Sequence, residues 1–196
     1  MKTIDMRGNP CPIPVVNARK ALAENDAKGV IVLVDNIIAV QNLEKMAKGT
    51  GCVFSYEEDG KNYKVIISKG SEHIQAGNDD KLKKNIASLV FISSDSMGRG
   101  SDDLGKILIK GFIFSLTQLD PPPEAVIFIN SGVRLANEGA NTVPDIEILE
   151  RKGVKVYICG TCANFYSLTE SIAVGNIVDM MFITEQLANA SGIITI

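Results

Sequence analysis

Apolar residues are spaced differently in the two parts of this chain, and the difference predicts two folding units. In the first part the apolar runs are short and alternate in type. Lys2–Asp5 and Gly29–Val34 read as strands, and Pro12–Glu24 and Ala39–Ala47 as helices. Cys52–Glu57 and Tyr63–Ser68 form a hairpin, in which Phe54 and Tyr56 alternate with Ser55 and Glu57 and Asp59-Gly60 supplies the turn. The order β-α-β-α-β-β sets two helices against a four-stranded sheet, a two-layer α/β sandwich. Further on, Leu89–Ser93, Ala125–Asn130, Val154–Ile158 and Ile193–Ile196 are β-branched and almost continuously apolar. That is the pattern of central strands covered on both faces. Helical segments fill the gaps. Asp102–Leu119 carries Leu104, Ile107, Leu108 and Phe112 along one stripe, a second segment starts at Thr142 with Pro144 in its first turn, and a third covers about Phe182–Ala190. Strands alternating with helices predict a doubly wound α/β domain.

Between the two parts, residues 70–86 keep no period of 2 or 3.6 and contain Gly70, Ser71, Gly77, Asn78, Asp79 and Asp80. They read as a linker, giving domains at 1–69 and 87–196. His73, the lone histidine, lies in this polar stretch and reads as solvated. The net charge of −3 names no partner, and the single basic cluster, Lys81, Lys83 and Lys84, is also in the linker, which argues against nucleic acid. No apolar run approaches the ~20 residues of a membrane span and no signal-peptide core opens the chain. A cytoplasmic protein without membrane contact is expected, with its four cysteines reduced and reactive rather than joined in structural disulfides.

The sharpest chemical signal is Pro10-Cys11-Pro12-Ile13-Pro14, which sets Cys11 between rigid residues just ahead of a helix. The positive end of a helix favours an ionised sulfur, so Cys11 is a candidate nucleophile. Asp5-x-x-Gly8 followed by Cys11-Pro12-x-Pro14 resembles the signature of the TusA/SirA-like sulfur-carrier family, with Arg7 inside the stretch as a further supporting residue. Asn9 stands where that family usually has an apolar residue, a change that bears on loop packing. The resemblance implies a persulfide carried on Cys11 and the same two-layer fold. Cys52, opening a strand beside Gly51, reads as a core residue.

Two loops of the second domain are candidates for function. Asp95-Ser96-Met97-Gly98-Arg99-Gly100-Ser101-Asp102-Asp103 leaves the first strand and opens a helix, where open α/β sheets bind ligands. Gly100-x-x-x-x-Gly105-Lys106 nearly matches a phosphate-binding loop. Ile107 replaces the Ser or Thr that would hold Mg²⁺, and Asp102 and Asp103 put negative charge where phosphates would lie. An acidic helix cap explains them better, and Arg99 is left as an anion or subunit contact. The second loop, Cys159-Gly160-Thr161-Cys162, ends a core strand with two sulfurs close enough for a disulfide or a sulfur relay. A zinc site would need further ligands that the domain lacks, so no metal and no bound cofactor are expected.

Val156-Tyr157-Ile158-Cys159 resembles the reactive-cysteine strand of the DsrE-like family, which implies that Cys159 is a second acceptor and Cys162 its resolving partner. A TusA-like domain followed by Met97-Gly98-Arg99-Gly100, Asn130-Ser131-Gly132-Val133 and Cys159-Gly160-Thr161-Cys162 is similar to the YedF family, described as sulfurtransferase-like and associated with selenium metabolism. The resemblance implies a sulfur or selenium carrier that takes its cargo from a cysteine-desulfurase-like donor protein and hands it to an acceptor protein. DsrE-like domains commonly form homo-oligomers, and Met180, Met181, Phe182 and Ile183 supply apolar surface for one. A dithiol redox or regulatory adaptor using Cys159 and Cys162 is the competing reading.

Overall fold

A computed structural model describes residues 1–24, 27–69 and 88–196. The expected linker, His73 and the lysine cluster lie outside the described residues. The chain divides into two compact units, Met1–Asp79 and Asp80–Ile196.

The first unit runs β1 (Lys2–Asp5), α1 (Ile13–Ala23), β2 (Gly29–Val34), α2 (Ile37–Gly49), β3 (Cys52–Asp59) and β4 (Asn62–Lys69). Its sheet has the order β1-β2-β4-β3, with β1 parallel to β2 and the other pairs antiparallel. Val30, Val32 and Val34 of β2 and Val65 and Ile67 of β4 point to one face. There they meet Ala18, Ala21 and Leu22 of α1 and Ala39, Val40, Leu43 and Ala47 of α2. The expected sandwich is therefore present. Small alanines let the helices approach closely, and Gly29 has no room for a side chain, since a Cβ there would lie 2.5 Å from the Ile67 carbonyl oxygen. Helix α2 begins before Ala39 because the Asn36 side-chain oxygen accepts from the Ala39 amide at 2.8 Å, a cap that the exposed Ile37-Ile38 pair disguises in the sequence. The hairpin turn is Gly60-Lys61, one residue later than expected, and Gly60 takes φ +62°.

The second unit contains β5 (Leu89–Ile92), α3 (Asp102–Leu116), β6 (Ala125–Phe128), a 3₁₀ helix (Asn130–Ala136), α4 (Val143–Arg151), β7 (Lys155–Cys159), α5 (Gly160–Phe165), β8 (Asn176–Val178), α6 (Met180–Asn189) and β9 (Ile193–Thr195). All five strands are parallel, in the order β8-β7-β6-β5-β9. Both faces are covered, as a doubly wound fold requires. Val90, Ile92, Val126, Phe128, Val156 and Ile158 pack against α3 and α4, while Leu89, Ala125, Ile127 and Cys159 pack against Ile183 and Leu187 of α6. The short edge strand β8 carries no apolar run long enough to mark it. Thr142 stands at the start of α4, but its hydroxyl donates to the Leu135 carbonyl and caps nothing in the helix.

Helix α3 presents a different face to the core than its large residues suggest. Gly105, Ile109, Ile113 and Leu116 point inward. Leu104, Ile107 and Leu108 form an exposed apolar stripe, with Ile107 67 % exposed. Gly105 sets this rotation, because the helix lies so close to the preceding loop that a Cβ would fall 2.9 Å from Ser96 Cβ. In α6 the four expected surface residues divide. Met180 and Met181 are exposed, Ile183 is core, and Phe182 is half-buried edge-on to Tyr157 with ring centroids 4.7 Å apart.

This face assignment can be checked within one helix. Ile113→Ala should destabilise the second unit by about 2–5 kcal/mol, whereas Ile107→Ala should stay within about 0.5 kcal/mol, both read as shifts of the urea unfolding midpoint at protein concentrations low enough to keep the chain monomeric.

Candidate functional site

Cys11 is exposed on the loop between β1 and α1, and two carboxylates hold that loop. Asp5 accepts from the Arg7 backbone N–H at 3.1 Å, from Nε at 2.9 Å and from Nη2 at 2.6 Å. Asp35, just after β2, accepts the Gly8 N–H at 2.6 Å and the Asn36 amide at 3.1 Å. Gly8 takes φ +72°, a conformation that glycine adopts without strain. Asn9 donates to the Arg7 carbonyl at 3.2 Å, so the departure at this position adds a loop hydrogen bond instead of apolar packing. The Arg7 hydrogen bonds pull the Asp5 carboxyl down to about 2, and the Gly8 amide lowers Asp35.

Pro12 and Pro14 sit at the start of α1, as expected. They also remove amides from it. The Ile13 N–H goes to the Pro10 carbonyl at 3.0 Å and the Val16 N–H to the Pro12 carbonyl at 3.1 Å, so few helix donors remain to face the sulfur. Among the described residues the polar partner of Cys11 Sγ is the Asn42 side-chain amide, 3.8 Å away on α2. Cys11 lines a hollow of ≈ 60 Å³ with Asn9, Pro10, Val15, Ile38 and Asn42. Cys52 is half-buried, packs against the core of the first unit and places its Sγ 3.8 Å from the Thr50 carbonyl oxygen.

The second centre lies where β5, β6 and β7 end. Cys159, the last residue of β7, is 0 % exposed, and half-buried Cys162 on α5 places its Sγ 3.0 Å from the Cys159 sulfur. The Asn130 N–H donates to Cys162 Sγ at 3.1 Å. Asn130 holds φ 49°, a region non-glycine residues enter rarely and Asn most readily. Its side-chain oxygen accepts from the Tyr166 hydroxyl at 2.9 Å. Arg134 stacks over the Tyr166 ring at 4.5 Å and pairs with Asp95 at 3.5 Å, and the Asp95 N–H donates to Ser131 Oγ at 3.2 Å. Burial, then the neighbouring Cys159 sulfur, pushes the Cys162 thiol up, with the Asn130 amide acting the other way.

Arg99 is exposed on the loop between β5 and α3. That loop ends in a helix cap, with Ser101 Oγ accepting the Leu104 N–H at 3.4 Å and Asp102 and Asp103 in the first turn. Among the described residues no group of His, Cys, Asp and Glu is placed to hold a metal ion. Asp35, Asn42 and Tyr166 carry no signal in the sequence and Asn130 carries one only as part of the Asn130-Ser131-Gly132-Val133 motif, since each acts on a partner at least 27 positions away.

Two titrations follow from these contacts. A carboxyl lowered by folding stabilises its loop above its ordinary value of 3.8 and loses that contribution as pH falls through the folded value. The Asp5–Arg7 pair should therefore persist below 3.8 and open near about 2 in a carboxyl NMR titration, and Arg7→Ala should return Asp5 toward 3.8. For Cys162, the pH profile of iodoacetamide labelling should lie above that of free cysteine, and Cys159→Ala, which removes the neighbouring sulfur, should lower it.

Comparison with known proteins matches each unit to a family. Residues 2–69 match the profile of sulfurtransferase TusA, and residues 117–195 that of the DsrE/DsrF-like family. A candidate sulfur carrier protein of Methanocaldococcus jannaschii is 34 % identical over 71 residues, which make up 35 % of this chain and 95 % of that protein. Among solved structures, a SirA-like protein from Desulfitobacterium hafniense is 51 % identical, covering 36 % of this chain and 100 % of its own, with a TM-score of 0.34. The YchN protein from E. coli is 17 % identical, covering 57 % of this chain and 100 % of its own, with a TM-score of 0.44. The chain belongs to the TusA family through its first unit and joins to it a DsrE-like domain.

Proposed function

We propose that this protein carries sulfane sulfur, with selenium as the alternative cargo, as a persulfide on Cys11 and on the Cys159/Cys162 dithiol. The observation that carries this reading is an exposed cysteine on a loop pinned by two carboxylates, at the mouth of a hollow of ≈ 60 Å³. Pockets for cofactors and drug-sized ligands run to about 300–1,000 Å³, so this one suits a small cargo. The Cys11 thiolate attacks the outer sulfur of a donor protein's persulfide. One S–S bond forms on Cys11, the donor's S–S bond breaks, and the donor thiolate leaves. Transfer to an acceptor thiolate repeats the exchange. The donor is a cysteine-desulfurase-like protein, and Ile38, 63 % exposed beside the hollow, gives it an apolar contact.

Self-association belongs to the same proposal. The exposed stripe Leu104, Ile107 and Leu108 on α3 has Asp102 and Asp103 at one end and Lys106 and Lys110 along its length. Antiparallel pairing with a second copy brings the acidic turn of each helix toward the lysines of the other, which makes a second copy the fitting occupant. No helix among the described residues is long and apolar enough to cross a membrane, and reduced thiols suit the cytoplasm. A dithiol redox or regulatory adaptor is the second reading, favoured by the 3.0 Å contact between the two sulfurs.

Intact-mass spectrometry after incubation with a cysteine desulfurase and cysteine, followed by peptide mapping, tests the carrier reading. Wild type should gain sulfur at Cys11 and Cys11→Ser should lose that label. A redox adaptor would instead form the Cys159–Cys162 disulfide and leave Cys11 unmodified. Light scattering should give a mass above the 21.1 kDa chain, and Ile107→Lys should restore the monomer.

A further inference from the structure

The two sulfurs of the dithiol differ in access. Cys159 belongs to the core layer with Leu89, Ile127 and Ile183 and is 0 % exposed, so a sulfur donor has no path to it while β7 stays in the sheet. Cys162 is the sulfur on the open side. It is half-buried, receives the Asn130 N–H at 3.1 Å, and sits beside exposed Phe165 and the Tyr166–Arg134 stack. Among the described residues, the Asn130 N–H is the backbone donor that reaches either sulfur of the pair. It comes from a residue whose left-handed backbone is tied down by the Tyr166 hydroxyl.

Resting on the carrier reading, we infer that Cys162 is the sulfur-accepting thiol of the second unit and that buried Cys159 is the thiol that discharges it, with Asn130 as a positioning residue. This order reverses the one implied by the family resemblance. In the first step the Cys162 thiolate attacks the outer sulfur of a persulfide. Its new S–S bond forms as the donor's breaks, the donor thiolate leaves, and nothing is oxidised overall. In the second step the Cys159 thiolate attacks Cys162 Sγ. The Cys162 persulfide bond breaks, hydrosulfide leaves with the electron pair, and a Cys159–Cys162 disulfide forms. The sulfane sulfur gains the two electrons that the thiols lose. A low-molecular-weight thiol of the glutathione class, as reductant, reopens the disulfide. The required movement is small, from 3.0 Å to the ~2.05 Å of a disulfide bond.

Burial and the neighbouring sulfur keep the resting Cys162 thiol protonated more than a free one. That slows the first step but does not redirect it, because a sulfur that no donor can reach accepts nothing. The Asn130 amide acts against this penalty at the reachable one.

The test uses the full chain with glutathione persulfide as probe, so that loading of the dithiol does not depend on Cys11. Peptide mass spectrometry locates the added sulfur and a sulfide electrode follows its release. Cys159→Ser and Cys159→Ala, the latter keeping the buried site apolar, should retain added sulfur on Cys162 and release at least tenfold less sulfide than wild type. Cys162→Ser should show no added sulfur on Cys159. Wild type should release sulfide and end as the disulfide. Added sulfur on Cys159 in Cys162→Ser at the level wild type reaches, or no sulfur on Cys162 in both Cys159 variants, overturns the order. Cys11 in the same samples separates the two readings: if it is labelled, carriage survives the loss of this order, and if no cysteine is labelled, both fall.

Discussion

The second unit depends on a parallel sheet that is covered on both faces. With no solvent face, every side chain of a central strand must enter one core layer or the other, and the pleat decides which. Along β7, Val156 and Ile158 join the α3 and α4 layer while Tyr157 and Cys159 join the α6 layer. Cys159 is thus buried by parity, as the last residue to obey the alternation. The chain then turns into α5 and leaves the sheet, which is why the next sulfur along can meet solvent while remaining 3.0 Å from the first.

The first unit presents its sulfur by another route. Its sheet is covered on one face, so the loop that carries Cys11 has no layer above it and must be fixed from below. Hydrogen bonds to Asp5 and Asp35 do this from the ends of neighbouring parallel strands. Charged acceptors suit the task, because bonds to ionised groups are shorter and stronger than neutral ones. Exposure limits what each is worth in stability. Their contribution is to hold the conformation of the loop.

Much of the fold was legible because burial writes itself into local patterns. The runs at Leu89, Ala125 and Val154 are almost continuously apolar because both faces are covered, and the Phe54/Tyr56 alternation gives a hairpin. What escaped is non-local or small. Helix α3 was oriented by Gly105, whose missing side chain outweighs three large apolar residues, since close approach is a property of the backbone that hydrophobicity does not record. Asn42 and Asn130 reach their sulfurs across 31 and 32 positions, beyond any local period. The Cys-x-x-Cys spacing placed the two thiols together but could not say which one the core would claim. The parity of Ile158 and Cys159 on a doubly covered strand did hold that information.

The 3₁₀ turn that carries Asn130 contains Gly132, where a Cβ would lie 2.6 Å from the Ile92 carbonyl oxygen at the end of β5. The turn therefore rests on the end of the strand with no side chain between them, and this contact helps set where the Asn130 amide stands. A backbone-to-backbone seat of this kind leaves no side chain through which mutation could adjust it. Any residue larger than glycine there displaces the turn that carries the amide. Attempts to retune this centre thus have freedom at Tyr166 and Arg134, which are side-chain contacts, and none at Gly132.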